Sequence, residues 1–225
     1  LGITDRYRTQ ADLPGQIPVF PLHGCILLPR SNLPLNIFEP RYLSMVDDAI
    51  AGDRIVGIVQ PFGSHEESPV SKGHPLRPIG CAGRLSAFSE AEDGRLLITL
   101  TGICRFDIVG EARTAKPYRL CDVNFSPYLK DLVRGHGQNA VDWPKFMQVL
   151  RSYLDSRQLS ADWDSIQRSP TELLINTLSM ISPYGAEEKQ ALLEAPDLKS
   201  RSEVLMALAE MEIAAPDTGS GTSLH

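Results

Sequence analysis

The apolar residues of this chain change their period once, and that change constrains the fold more than any other feature. From about residue 17 to 125 they are often β-branched or aromatic and tend to alternate, with Gly, Pro and Asp-Gly punctuation between the runs. Successive side chains on a strand point to opposite faces, so this texture reads as a set of short strands. From about 139 to 213 the apolar spacing becomes three and four, which places those residues on one face of a helix. The polar, glycine-containing stretch KDLVRGHGQN separates the two textures and reads as a linker. The expected organisation is a β subdomain over 16–125, a helical bundle over 139–213 and a tail over 214–225 whose small polar composition predicts disorder.

Within the first part, IPVF and GCILL bracket the turn PLHG, and LPLNIF follows a second turn at PRSN. One helix interrupts the strands. Pro40 fits its first position, where a missing N–H costs nothing, and Tyr42, Leu43, Val46 and Ile50 recur at helical spacing until Gly52 ends the run. RIVGIVQ is apolar at nearly every position and predicts a strand buried on both faces. Residues 61–75 hold few apolar side chains and many turn formers, the composition of a long loop. The segment from Ile79 to Glu111 reads as a meander: a strand, an Asp93-Gly94 hairpin turn, a second strand through Leu96, Ile98 and Leu100, a turn at Gly102, and a third strand through Phe106 and Ile108. YRLCDVNF closes the set. Without parallel βαβ alternation, about six strands and one short helix predict a small barrel-like or rolled sheet.

The second part predicts three or four helices. Pro144 stands near the start of the first, with Phe146, Met147, Leu150 and Leu154 on one face. Ser169-Pro170-Thr171-Glu172 carries the pattern of a capping box, in which the Ser hydroxyl and the Glu carboxylate satisfy N–H groups at the helix start. Pro183-Tyr184-Gly185 breaks the chain before another helix near Ala186, and a last one runs from about Asp197 to Ile213. Trp143 and Trp163 suit core or wedge positions in this half. Short connections between amphipathic helices predict an antiparallel bundle.

Composition narrows the function. The chain has 225 residues, 42% of them hydrophobic, enough to build a core without disulfides or a structural metal. Its net charge is −6, with 13 basic and 14 acidic residues in 1–125 against 9 and 14 in 126–225. That sign disfavours a sequence-independent grip on nucleic acid or on anionic lipid. No apolar run approaches the 18 or so residues of a spanning helix. Cys25, Cys81, Cys104 and Cys121 form no close pair, which fits reduced thiols and a cytoplasmic location.

The catalytic inventory is thin. No GxxxxGK[ST] loop is present to cradle phosphates, and Ser71-Lys72-Gly73 lacks the upstream glycine. Gly219-Ser220-Gly221 lies in the tail, Ser64-His65 are sequence neighbours that rarely reach hydrogen-bond geometry, and His65 with His74 would have to carry any hydrolase. His225 is terminal and His136 lies in the linker. His23 and Cys25 with Cys81 or Cys104 make the one conceivable zinc set, outweighed by cysteines packed as small core hydrophobes. Glu39, beside Pro40 and Arg41, suits the helix dipole better than a general base. No catalytic residue, metal or cofactor is assigned.

At IPVFPLHGCILLP followed by LPLNIFEPRYLSMVDDAI the chain resembles the N-terminal substrate-binding domain of Lon proteases, in the free-standing form found in bacteria. The residues that carry the likeness are Pro18, Phe20, Pro21 and Leu22; Leu28 and Pro29; Leu33, Pro34 and Leu35; and Ile37, Phe38, Glu39, Pro40, Arg41 and Tyr42. Further on, Ile79-Gly80-Cys81-Ala82-Gly83 is similar to the family's V-G-T-x-A strand with Cys81 in place of Thr, Asp93-Gly94 matches its hairpin, and Gly102, Arg105 and Phe106 match its G-x-x-R-[FA] element. EKQALLEAPDL is similar to the helical part that follows in the family.

The resemblance implies an α+β fold: a PUA-like β pseudobarrel followed by a C-terminal antiparallel helical bundle. It also implies a non-catalytic polypeptide-binding role, since neither the nucleotide motif nor the Ser-Lys dyad of full-length Lon has a counterpart here. The expected partners are unfolded or exposed apolar polypeptide segments and a separate ATP-dependent protease, with no membrane and no nucleic acid. Binding is expected along a strand edge or in a groove between the halves, lined by Leu35, Ile37, Phe38, Tyr42 and Phe62. A PUA-like RNA-binding protein is the alternative, on architecture alone.

Overall fold

The structure is a computed structural model that describes residues 2–63 and 74–214. Ser64-His65, Ser71-Lys72-Gly73, Gly219-Ser220-Gly221, His225 and the tail beyond Ala214 lie outside the described residues. Six strands form one sheet: β1 (Gln16–Pro21), β2 (Asn32–Ile37), β3 (Ile55–Val59), β4 (Ile79–Glu90), β5 (Leu96–Glu111) and β6 (Arg119–Asn124). Their order is β2-β5-β4-β3-β1-β6, and β5 also pairs with β6. The closure depends on the length of β5. Its first residues pair with β2 (Leu96 to Thr101) and its last with β6 (Asp107 to Glu111), both on the edge away from β4. Strands β1, β3, β4, β5 and β6 therefore close into a barrel, and β2 projects as an appended edge. The chain is α+β with a barrel-like sheet, as its sequence texture and resemblance lead one to expect.

Three local expectations need correction. Gly102 is not a turn, because β5 runs straight through it. A Cβ at Gly102 would stand 2.0 Å from the Leu28 carbonyl oxygen, so glycine is needed for the close crossing of two backbones. The segment around Leu28 is not a strand either. Ile26, Leu27 and Leu28 pass through the core as an irregular segment with 2%, 0% and 0% exposure, and apolar content alone does not separate buried coil from strand. The sheet also contains one parallel pair, β1 with β3 (Val19 opposite Gly57), joined by a crossover through β2 and the first helix.

That helix, α1 (Pro40–Ala51), starts and stops where the sequence indicates, with Pro40 at its first position and Gly52 at its C-cap. It buries Tyr42, Met45, Val46 and Ala49 against the outer face of the barrel. Phe20 meets the Tyr42 ring at a centroid distance of 4.1 Å. Inside the barrel, Phe106 occupies the space that Gly57 and Gly80 leave open, since a Cβ at either glycine would lie under 3.0 Å from its ring.

The stretch from Ser126 to Ala140 is not a free linker. It forms two 3-10 turns, Ser126–Leu132 and Gln138–Ala140, and the first packs on β5. Five helices follow: α2 (Trp143–Ser156), α3 (Trp163–Arg168), α4 (Thr171–Ile181), α5 (Ala186–Glu194) and α6 (Leu198–Ala214). The Asp142 carboxylate accepts from Lys145 N–H and caps α2. The expected capping box at Ser169 does not form. Ser169 ends α3, its hydroxyl donates to the Ser165 carbonyl, and α4 begins without a side-chain cap. Glu172 instead accepts two bonds from the Arg30 guanidinium, at 2.8 and 2.9 Å, and one from Gly135 N–H. Charge-assisted, forked contacts outcompete a neutral N–H partner.

Polar bonds hold the barrel to the bundle. Gln60 Nε2 donates to the Ala186 carbonyl and to Gln190 Oε1, Gln190 Nε2 reaches the Ile79 carbonyl, and Asn176 Nδ2 donates to the Pro29 carbonyl. Arg105, 3% exposed, donates from Nε and Nη2 to the Asp131 carboxylate and from Nη1 to carbonyls at the end of α5. Hydrogen bonds among buried and part-buried groups line this seam.

Candidate functional site

The alternation along β5 and its neighbours sets which side chains meet solvent. In the projecting part of the sheet, Leu35 of β2 pairs with Ile98, and Ile98 with Phe88 of β4. One step along, Asn36 pairs with Leu97 and Leu97 with Ser89; in the next row Pro34 pairs with Thr99 and Thr99 with Ala87. Register therefore puts Leu33, Leu35, Leu96, Ile98 and Leu100 on the core face, and Pro34, Ala87 and Leu97 on the other. Leu97 is 50% exposed; Phe88 shares the face of Leu35 and Ile98, where its place near the end of β4 leaves it 54% exposed. Pro34, Leu35, Ala87, Phe88, Leu97 and Ile98 contribute to one shallow apolar cleft there.

The edge beside that cleft is open. β2 pairs only with β5, and among the described residues no backbone group bonds to its other side. Pro34 fits such a position, since an outward-facing edge loses no ladder bond to its missing N–H. Exposed strand edges are ready templates for another extended chain.

The five residues singled out by sequence separate into three groups. Leu35 is half-buried in the cleft just described, and Phe38, 64% exposed, directly follows β2. Ile37 and Tyr42 are core residues, 1% and 4% exposed, and present no surface to a partner. Burial pushes the Tyr42 phenol up to about 12, with Glu39 adding to the effect. Phe62 lies beyond the far end of β4, under the Arg77 guanidinium at 5.0 Å. The nine-residue span from Ile79 to Phe88 corresponds to about 30 Å of extended strand, so Phe62 does not share a surface with Leu97 at the other end of the sheet. Sequence reading missed Ala87 and Leu97. Leu97 carried a signal, because it is out of phase with Leu96, Ile98 and Leu100 and so had to face away from the core.

The cysteines do not assemble a metal centre. Cys81 sits opposite Arg105, whereas Cys104 sits opposite the next β4 residue, Ala82, so the two thiols point to opposite faces of the sheet. Burial pushes both thiols up, away from the thiolate a metal needs. Among the described residues no three His, Cys, Asp or Glu side chains converge to hold an ion. Nor, among them, is any helix long and apolar enough to cross a membrane.

Comparison with known proteins agrees with this architecture. The family described as "ATP-dependent protease La (LON) substrate-binding domain" matches residues 16–210. Lon protease 2 of Myxococcus xanthus is 24% identical over 208 residues, covering 88% of this chain and 24% of the relative. The Lon protease of Flavobacterium johnsoniae is 25% identical over 201 residues, covering 85% of this chain and 23% of the relative. The chain thus spans about a quarter of the length of these curated relatives. Among solved structures, the N-terminal domain of a Mycobacterium avium complex Lon protease superposes with a TM-score of 0.63 at 18% identity, covering 87% of this chain and 98% of that one. A Lon N-terminal domain protein from Xanthomonas campestris gives 0.57 at 21% identity, covering 85% and 97%. With its matched residues running through both barrel and bundle, the chain belongs to the Lon substrate-binding domain family.

Proposed function

We propose that this protein binds extended, apolar polypeptide segments without transforming them, using the cleft at Pro34, Ala87 and Leu97 and the open edge of β2. The observation that carries the reading is the coincidence of an unpaired strand edge with exposed apolar side chains in a domain of the substrate-binding family. An incoming strand gains main-chain hydrogen bonds from β2, and alternate side chains of that strand reach the apolar face. The bound segments would serve a Lon-type ATP-dependent protease as clients. A cytoplasmic location suits that role. RNA binding finds no supporting surface charge, given the net charge of −6.

Titration of the protein with short fluorescent apolar peptides tests the reading. Saturable binding is expected, and Leu97→Asp together with Ala87→Asp should weaken it about tenfold or more while leaving the circular dichroism and melting curve unchanged, because both side chains are exposed. Equal affinity in the double variant, or no saturable binding up to millimolar peptide, would overturn the assignment.

A further inference from the structure

The same face of β4 that carries Ala87 and Ser89 past the apolar cleft also carries Arg84, toward the mouth of the barrel. There Arg6, Arg54 and Arg84 line one cleft of about 420 Å³ together with Tyr7, Asp12 and Asp53. Among the described residues none of the three guanidiniums is ion-paired. Arg84 Nη1 donates to the Tyr7 hydroxyl at 2.9 Å and lies 3.5 Å from the Asp53 carbonyl, while its buried Nε has no partner. Arg54 is held in the left-handed region, with φ of 60°, by its N–H to the Ala49 carbonyl and by its own carbonyl accepting from Leu85 N–H. Large side chains rarely adopt that backbone conformation. The Asp12 carboxylate is already engaged by Arg8 N–H, Thr9 N–H and the Thr9 hydroxyl, and those bonds hold its pKa below the usual carboxylate range. Three arginines against two aspartates leave one positive charge uncompensated, in a protein whose total is −6.

We infer that this cleft takes the C-terminal carboxylate of the bound polypeptide, a few residues from the apolar segment held at Leu97. The inference rests on the polypeptide-binding reading above and adds to it a second recognition element. Geometry sets the spacing. Arg84 and Ser89 lie opposite Thr101 and Leu97, four residues apart on β5, about 14 Å, which an extended ligand spans with about four residues. A single carboxylate balances the surplus charge, and the guanidinium fork matches its two oxygens.

The test compares a six-residue apolar peptide ending in a free carboxylate with its C-terminal amide, against the wild-type protein and the double variant Arg6→Gln, Arg54→Gln. Both substituted side chains are exposed, so folding is not at stake. Wild type should prefer the carboxylate peptide about fivefold, the scale of an exposed ion pair, and the double variant should lose that preference while binding the amide as before. Equal binding of both peptides to wild type overturns this inference and leaves the polypeptide-binding reading standing. Failure of both peptides to bind overturns both. Inorganic phosphate alone binding the cleft as tightly as the carboxylate peptide would make it a free-anion site and also overturn the assignment.

Discussion

Arg105 of β5 and Arg201 of α6 together hold three carbonyls at the end of one helix. Arg105 Nη1 donates to the carbonyls of Leu193 and Ala195, at 3.1 and 2.6 Å, and Arg201 Nε donates to that of Leu192, at 2.8 Å. The last carbonyls of α5 have no partners within their own helix and carry its negative dipole end, so two cations satisfy both needs. Arg201 Nη1 continues to Asn176 Oδ1 on α4. The barrel and bundle are thereby joined through one helix terminus, and Arg105, part of the segment that resembles the family pattern, has a structural role.

Removing the Arg105 side chain should therefore uncouple the halves. Arg105→Met leaves Asp131 buried without its cation and two carbonyls unbonded, and the expected loss is about 3–5 kcal/mol of unfolding free energy. Arg105→Lys should recover little, since an ammonium cannot reproduce the fork toward Asp131 and the carbonyls together. Urea denaturation measures both; a loss under about 1 kcal/mol in the Met variant would refute the joint as described.

Glu172 and Ser169 give a paired comparison. If the carboxylate works through Arg30 and Gly135, Glu172→Gln should cost about 2–3 kcal/mol, the range for hydrogen bonds to charged groups. Ser169→Ala should cost no more than about 0.5 kcal/mol, because the exposed hydroxyl only bonds back into α3. Thermal melts that reverse this order would restore the capping box.

The buried phenol of Tyr42 should make stability fall in alkali. Its folded pKa is raised to about 12, above the value of about 10 in an unfolded chain. Between those values the unfolded state has released its proton and the folded state has not, so unfolding becomes more favourable as pH rises, by about 1.4 kcal/mol per pH unit from this one group. Tyr42→Phe keeps the ring against Phe20 and should remove that share of the slope. Wild type and variant with parallel stability curves from pH 10 to 12 would rule out the effect.

If ligands add to the edge of β2, blocking main-chain donors should matter as much as trimming side chains. Apolar peptides N-methylated at alternate residues in one register should bind about tenfold more weakly, and those methylated in the other register should bind nearly as well as the parent. An equal loss in both registers would favour side-chain docking without strand addition.

Much of the fold is legible in the sequence because it depends on neighbours in the chain. Alternation marks β1, β2, β4 and β6, a continuous apolar run marks β3, Pro40 and Gly52 bracket α1, and the Asp93-Gly94 turn follows from local backbone preferences. The candidate surface is legible only in part. Leu35 and Phe38 lie at or beside it, whereas the pairing that brings Pro34 level with Thr99 joins positions 65 apart, which no local pattern records.

Taken alone, the amino-acid order determines the change from strands to helices, the site of the first helix and the family likeness, since each is written in residues adjacent in the chain. Tertiary structure alone decides that β5 closes the barrel, that Gly102 serves a crossing of backbones, and that Glu172 binds Arg30 across 142 positions of chain. It also gathers Arg6, Arg54 and Arg84 at one mouth. Such choices rest on which groups burial brings within about 3 Å of each other, and local periodicity carries no record of that.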